Sequence, residues 1–332
     1  MTTLEQHWRT FTWVSALLLL PSLVFRLLVY VRRVCYKVGF FNSKKSTIPV
    51  VVIGNITAGG TGKSPTVSAL ALLLLKHGYR PGIVSRGFGG TACSTPTLIT
   101  EKTDVAQVGD EPYLHFLKTG VSVVVDKNRP AAIQFIQEKT PCNIVLSDDG
   151  LQHYPMARDI EIATIDGECE LGNRLLHPAG PLREPASRLK SVDFVISKNK
   201  SSYTNDSFSL KPLRFVSTSD NAITLDLNAF SGSEIHAVAA IARPQSFFDS
   251  LRKYDIKVIE HAFPDHYFFS KSDLAFGDSI PIVMTEKDAV KITYFNISNA
   301  WVMQVGVEFH SDFSQRLLDR IKSLNNAQST DV

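Results

Sequence analysis

An apolar run, PVVVIG, leads into NITAGGTGKSP, Asn55 to Pro65. Three glycines, a Lys-Ser pair and a helical pattern follow in the order that a phosphate-binding loop requires. Such a loop needs a buried strand to deliver it, small residues that let backbone N–H groups turn inward, and a helix N-terminus whose partial positive charge meets the anion. No other feature constrains the fold as much, because a buried strand feeding a helix through a tight loop belongs to a mostly parallel sheet covered by helices on both faces. Thr57 stands where the pattern G-x-x-x-x-G-K-[ST] has its first glycine. The cradle survives that exchange. The backbone of Thr57, Ala58, Gly59, Gly60, Thr61 and Gly62 forms the turn, Lys63 supplies a point charge, and Ser64 offers a hydroxyl to magnesium. Pro65 falls in the first helical turn, where its missing N–H costs no intrahelical bond.

The same strand-loop-helix rhythm continues. TVSALALLLLKHG has helical length and stops at Gly78. RPGIVSRG, GVSVVVD, NIVLSDDG and DIEIATID read as further buried strands, with AAIQFIQEK as a helix between them. Polar residues gather where these strands end, which is where open α/β sheets bind ligands. After the polar stretch SSYTNDSFS the strands LRFVS and AITLDLN alternate as an exposed ribbon does, and IHAVAAIA, RPQSFFDSLRKY, IPIVMTEKDAVK and AWVMQVGVE restart a strand-helix pattern. The expected organisation is an N-terminal apolar segment over 1–40, a nucleotide-binding α/β domain over 41–212, a linking ribbon over 213–230, and a smaller α/β domain over 231–332.

The N-terminal segment is unusual. FTWVSALLLLPSLVF, Phe11 to Phe25, carries no charge; LLVYV continues after Arg26, and Arg32, Arg33 and Lys37 close the stretch. A secretory signal would place its basic residues before the apolar core, and a spanning helix needs about 20 uninterrupted apolar residues. Pro21 and Arg26 break this one, so a helix or kinked pair lying in the cytoplasmic membrane interface is expected, its basic side chains reaching anionic headgroups. The alternative is a helix packed on the protein's own core.

Composition narrows the partners. A net charge of +3 over 332 residues, with no basic run interleaved with aromatics, argues against nucleic acid. No obligate protein partner is evident. Cys35, Cys93, Cys142 and Cys169 form no C-x-x-C pair and read as reduced, mostly buried thiols in the cytosol.

A phosphate cradle implies a second element to hold the metal. NIVLSDDG delivers Asp148 and Asp149 at a strand tip, as a Walker B strand does for magnesium. In VGDEPYL, Asp110 and Glu111 begin a helical run, where acids are common simply as caps. His153 in DDGLQH reads as readily as a packing residue as a functional one. A guanine reader of the form N/T-K-x-D is missing: SKNKSS has no acid at the right place, and TEKDA puts Lys287 and Asp288 side by side. ATP is therefore the expected nucleotide.

Taken together, GNITAGGTGKSP, SRGFGG, VGDEP, DDGLQH, HPAGPLREP, FPDHYFF and TEKDAVK, in this order from Val50 to Lys291, closely resemble the tetraacyldisaccharide 4′-kinase family, the lipid A kinases of Gram-negative bacteria. The resemblance implies transfer of the ATP γ-phosphate to the 4′-hydroxyl of a tetraacylated glucosamine disaccharide 1-phosphate at the inner face of the inner membrane. It implies that Asp110 is the catalytic base and His266 its partner from the second domain. It also implies that Lys63 contacts the β- and γ-phosphates, that Ser64 with Asp148 and Asp149 serves magnesium with Glu111 in support, and that Arg129 and Arg183 neutralise phosphate charge. For TEKDAVK a capped helix start is as good a reading as a site role. Three departures stand out: Ser64 for a more usual threonine, Phe88 where a tyrosine is usual, and IARPQSFF without a glycine before its arginine. A switch-type ATPase or GTPase and a non-enzymatic nucleotide sensor remain the alternatives.

Overall fold

The computed structural model describes residues 6–91, 95–220, 222–295 and 297–330. Its strands are β1 (Val50–Gly54), β2 (Pro81–Ser85), β3 (Thr97–Leu98), β4 (Ser122–Val125), β5 (Ile144–Asp148), β6 (Ile160–Asp166), β7 (Phe194–Lys198), β8 (Ser207–Ser217), β9 (Thr224–Leu225), β10 (Glu234–Ala239), β11 (Lys257–Ala262), β12 (Ile282–Thr285) and β13 (Ala300–Phe309). They form one sheet in the order β3-β4-β2-β5-β1-β6-β7-β8-β13-β12-β10-β11, with β9 paired to β8. The expected mixed α/β architecture is the one observed. Every residue of β1, β2 and β5 is buried, as strands covered on both faces must be.

Alternation along β1 divides the core. Val51 and Ile53 pack on one face with the phosphate-loop helix residues Val67, Leu70 and Leu74, while Val50 and Val52 pack on the other with Ile133 and Ile136. Burying each such side chain contributes about 1.5–3 kcal/mol, so this strand is anchored from both sides. A second pair of cores covers the other strand set. Ala237 and Ala239 face Phe247, Phe248 and Leu251, and Val238 faces Met284 and Leu274.

The two strand sets are joined by one long antiparallel pair. β8 starts beside the carboxyl end of β7, with Ser197 opposite Ser207 and Lys198 opposite Phe208. β13 returns along β8 from Trp301 opposite Ser217 to Phe309 opposite Phe208, with an irregularity between Gln304 and Val305. Spanning nine residues at a strand's rise, this ribbon is about 30 Å long. β12 pairs in parallel with only the first four residues of β13. It therefore points back toward the first set, and the carboxyl ends of β10 and β12 face those of β1, β5 and β6 across a crevice.

Several expectations need revision. The boundary placed between 212 and 213 falls inside β8, and the ribbon's partner is β13, since AITLDLN supplies only the two residues of β9. The last helix, Phe313–Thr330, is also not part of a C-terminal unit: Phe313, Leu317, Leu318 and Ile321 are buried in the core of the first strand set. Its apolar stripe finds the larger uncovered sheet face there. The thiols of Cys35, Cys142 and Cys169 are free and half-buried, less enclosed than expected, and Cys93 lies outside the described residues.

At the N-terminus two helices, Trp13–Leu17 and Leu19–Lys37, meet at Leu18. The first is capped by Thr12 and Ser15 in a reciprocal capping box. The second touches the protein through a narrow stripe: Ser22 donates to the Leu176 carbonyl at 2.8 Å, Phe25 lies against His177, and Tyr36 stacks on Tyr154. Among the described residues no helix is long and apolar enough to cross a membrane.

Gly62 shows how tightly the loop is built. Its φ is +80°, and a β-carbon there would sit 2.8 Å from the Phe208 ring. Gly62→Ala is expected to cost roughly 1–3 kcal/mol through left-handed strain and displacement of Phe208. Denaturant unfolding checks this, and an unchanged midpoint would contradict it.

Candidate active site

The phosphate loop leaves β1 and is braced from the side by the HPAGPLREP segment. The Ala58 amide donates to the Pro181 carbonyl at 2.8 Å, the Arg183 amide donates to the Ile56 carbonyl at 2.7 Å, and Thr57 bridges to Leu182. Thr61 shares a 2.7 Å hydroxyl contact with Thr164 of β6. Gly59 and Gly60 have open space around them, and Gly62 caps the helix Lys63–Lys76. Amide groups at the start of that helix have no helical partner, which leaves them for an anion. Lys63 and Ser64 stand in its first turn.

Two facing helices then bring acids beside the loop. The helix Asp110–Thr119 begins at Gly109, whose φ is +90° and whose missing β-carbon lets the Phe88 carbonyl approach. Ser64 Oγ donates to Glu111 Oε2 at 3.0 Å, and one turn further Ser68 Oγ meets His115 Nδ1 at 2.8 Å. His115 Nε2 in turn lies 3.4 Å from Asp148 Oδ2. Burial alone would raise the Asp148 pKa, but the His115 contact with the Arg129 and Lys63 charges outweighs it and holds the carboxyl below its ordinary range. Asp148 Oδ1 is buried without a hydrogen-bond partner. Asp149, with φ +48°, turns the other way and meets Arg183 Nη1 at 3.1 Å and Lys63 Nζ at 3.8 Å.

The surroundings of Asp110 are assembled across the crevice. Asp110 is 3% exposed, and both its carboxylate oxygens lie 3.0 Å from His266 Nδ1. His266 has φ +61°, in the left-handed region that few residues other than glycine, asparagine, aspartate and histidine adopt. Lys291 Nζ, fully buried, is 3.5 Å from Asp110 Oδ2 and 2.9 Å from Asp288 Oδ1. Lys287 Nζ is 2.9 Å from Asp265 Oδ1, 3.2 Å from His266 Nε2, 3.4 Å from Glu111 Oε1 and 4.0 Å from Asp110 Oδ2. Burial pushes the Asp110 pKa up, yet the His266 hydrogen bond and the two lysines pull it below the usual carboxylate range. The Asp110 hydrogen bond raises His266 against the opposing effects of burial and Lys287.

Most of the residues singled out from sequence thus converge: Lys63, Ser64, Glu111, Asp148, Asp149 and Arg183 in one group, Asp110 and His266 beside it. Arg129 departs from its expected place. It is 3% exposed, and its guanidinium donates to Ser147 Oγ at 2.8 Å and the Val84 carbonyl at 3.3 Å. Its guanidinium is held by the strands rather than turned into the loop, and it acts on Asp148 and Asp149 through its charge. His153 is driven by burial and nearby arginines to a pKa of about 4, so it is neutral near pH 7. In TEKDAVK, Thr285 Oγ1 caps the short helix Glu286–Ala289, and Lys287 and Lys291 reach the Asp110 carboxylate. His115, Ser68 and Lys291 went unnoticed in the sequence. The spacing of Glu111 from His115 and of Ser64 from Ser68, four residues each, was the available signal that two helix faces match.

The Asp110–His266 pair gives a signed pH dependence of stability. His266, with its pKa raised, contributes fully below about pH 6.5 and loses its contribution as pH rises through the folded value, while Asp110, with its pKa lowered, contributes above about pH 4. The stability difference between the unaltered chain and His266→Gln is expected to peak between about pH 4 and 6.5 and to shrink above it. Denaturant titrations across pH test this; a difference that grows toward pH 9 would contradict the pairing.

The family model described as tetraacyldisaccharide-1-P 4′-kinase matches residues 14–322. Tetraacyldisaccharide 4′-kinase from Psychromonas ingrahamii is 42% identical over 320 residues, covering 96% of this chain and 98% of that protein. Its counterpart from Hahella chejuensis is 44% identical over 280 residues, covering 84% and 82%. Among solved structures, an LpxK from Aquifex aeolicus, described as in complex with ATP, superposes with a TM-score of 0.80 at 26% identity, covering 92% of this chain and 99% of that one. With the motifs, the fold and these matches in agreement over nearly the whole length, the chain belongs to the tetraacyldisaccharide-1-P 4′-kinase family.

Proposed function

We propose that this chain transfers the γ-phosphoryl group of ATP to the 4′-hydroxyl of a tetraacylated glucosamine disaccharide 1-phosphate, in lipid A biosynthesis, at the cytoplasmic face of the inner membrane. The observation that carries this reading is the buried Asp110–His266 pair standing next to the phosphate loop, joined to it through Glu111 and Ser64. A P-loop NTPase-like sheet with its cradle at the end of β1 suits ATP.

In the reaction, the acceptor hydroxyl gives its proton to the Asp110 carboxylate as its oxygen forms a bond to the γ-phosphorus. The bond from that phosphorus to the β–γ bridging oxygen breaks, and ADP keeps the electron pair. Asp110 is suited to this because His266 holds the carboxylate by hydrogen bonds while the neighbouring lysines keep it ionised. Phosphoryl transfer depends chiefly on positioning and charge compensation, for which Lys63 and Arg183 are placed. A hard-oxygen set of Ser64 Oγ, Asp148 and Asp149, with Asp148 Oδ1 left buried and unpartnered, fits magnesium. Glu111 supports that set through Ser64. When bound, magnesium would supply charge neutralisation at the phosphates. Among the described residues no group of three or more His, Cys, Asp or Glu forms a ready-made cage, in keeping with an ion that takes substrate oxygens and water as well.

The acceptor's four acyl chains keep it in the bilayer, so the enzyme has to meet it there. Leu17, Leu20, Leu23, Leu27, Leu28 and Val31 of the N-terminal helices are exposed as one apolar face, with Arg26 and Arg32 beside them. That face supports interfacial docking. Incubation with ATP, magnesium and the disaccharide 1-phosphate lipid, read by mass, tests the activity; hydrolysis of ATP independent of the lipid would point to a switch-type NTPase instead. Asp110→Ala is expected to lower kcat by about 10²–10⁴-fold while ATP binding persists. Near-normal turnover at saturating substrate would remove Asp110 from the role of base. Separately, Leu20→Glu combined with Leu27→Glu should reduce partitioning onto anionic vesicles at least roughly tenfold, since two buried apolar anchors are lost. Unchanged partitioning would sink the interfacial reading.

A further inference from the structure

Lys287 belongs neither to the phosphate loop nor to the acid pair, yet its ammonium touches more of the site than any other cation. It is carried by the short helix that begins at the carboxyl end of β12, on the far side of the crevice from the loop. Its side chain is 16% exposed, and its three donors are surrounded by Asp265, Glu111, His266 and Asp110 at 2.9, 3.4, 3.2 and 4.0 Å. Glu111 is the acid that accepts from Ser64 of the loop, and His266 is the partner of the base. One ammonium group therefore spans both functional clusters. Its neighbours explain why it stays there. Asp288, fully buried, accepts from the Ala240 amide at 3.0 Å and from Thr285 Oγ1 at 2.7 Å, which pins the helix carrying Lys287 to the end of β10. Lys118, at the far end of the Asp110 helix, donates to both Glu286 Oε2 and the Val305 carbonyl at 2.6 Å, which ties that helix to the same short segment.

We infer that Lys287 is a positioning residue for phosphoryl transfer: it bridges Glu111, on the helix that also carries Asp110, to Asp265 and His266 of the second strand set, and so holds His266 in register with the proton acceptor. This rests on Asp110 being that acceptor. The role differs from that of a phosphate-binding lysine. Four acceptor groups from the protein already engage the ammonium, whereas Lys63, in the helix's first turn, has a single distant carboxylate at 3.8 Å. A charge shared among fixed acceptors holds geometry, and a small displacement of a catalytic group costs rate while leaving nucleotide affinity in place.

The test uses the full chain with ATP, magnesium and the lipid acceptor in vesicles. Lipid phosphorylation by the unaltered chain examines the kinase reading by itself; Lys287 is judged from variants relative to that rate. Lys287→Met, similar in length and uncharged, is expected to lower kcat about 30- to 100-fold with KM for ATP changed less than about threefold, and Lys287→Arg should recover at least roughly tenfold of that loss. The decisive reading is coupling: in a His266→Ala background, Lys287→Met should cost less than about threefold more, because the geometry it maintains is already gone. A structural lysine would lower stability without that coupling. A KM for ATP that rises tenfold at unchanged kcat, losses that multiply independently of His266, or a kcat within threefold of the unaltered chain would each overturn the inference. If Lys287→Met does not fold, Asp265→Asn removes the ammonium's shortest carboxylate contact and should lower kcat about three- to tenfold with the same coupling to His266; an unaffected kcat there counts equally against it.

Discussion

The antiparallel pairing of β8 with β13 decides where the chemistry takes place. In an open parallel sheet, every helix N-terminus and every strand tip that binds ligand lies along one edge. Here a strand that leaves this edge at Ser207 and a strand that returns to it at Phe309 turn the second strand set around, so its own ligand-binding edge faces the first. The phosphate loop at the end of β1, the acids at the end of β5 and the TEKDAVK segment after β12 then converge although they are separated by more than 200 residues of chain. The register of that pairing matters as much as its direction. A one-residue slip would move the second edge by about 3.3 Å and invert every side chain of the ribbon. Such a shift exceeds the reach of the 3.0 Å contact between His266 and Asp110.

Charge alternation keeps the crevice closed around a group that burial would otherwise neutralise. A lone buried carboxylate would take up a proton rather than bear the loss of solvation. Asp110 avoids this by meeting His266, Lys287 and Lys291, and each of the two lysines meets a further acceptor: Asp265 for Lys287, Asp288 for Lys291. All three residues come from the second strand set. The ionised Asp110 carboxylate is thus a property of the closed arrangement, and opening of the crevice would remove its partners. Asp148 solves the same problem within the first set alone, through His115 on one side and the Arg129 charge beneath. In the proposed mechanism this division gives a preformed phosphate side and a base side completed by closure.

The N-terminal helices are attached in a way that suits the proposed bilayer surface. Their contact stripe is polar or aromatic, through Ser22, Phe25 and Tyr36, and the apolar residues point outward. A helix that served only to cover the core would do the reverse. Tyr36 stacks on Tyr154, whose hydroxyl donates to the buried Glu184, next in sequence to the site residue Arg183. The helix that bears the apolar face is therefore tied, through its opposite side, to the segment that braces the phosphate loop.

Much of this was legible in the sequence for a simple reason: the cradle, the Walker B acids and the buried strands are local features, dictated by the conformational freedom of glycine, by the helix N-terminus and by period-two or continuous apolar patterns. Asp110 was ambiguous, because an acid at a helix start caps as readily as it catalyses and only its three-dimensional neighbours separate the two. Arg129 was misread, because a guanidinium beside a strand end looks identical in one dimension whether it points to ligand or into the protein. His115, Lys287 and Lys291 gain their meaning from residues 33 to 181 positions away, and the last helix joins the first core because an uncovered apolar sheet face outweighs its place at the end of the chain. The chain by itself determined the elements and the phosphate chemistry; tertiary structure alone decided which charges would meet, since Coulomb and hydrogen-bond energies depend on distances that no local pattern encodes.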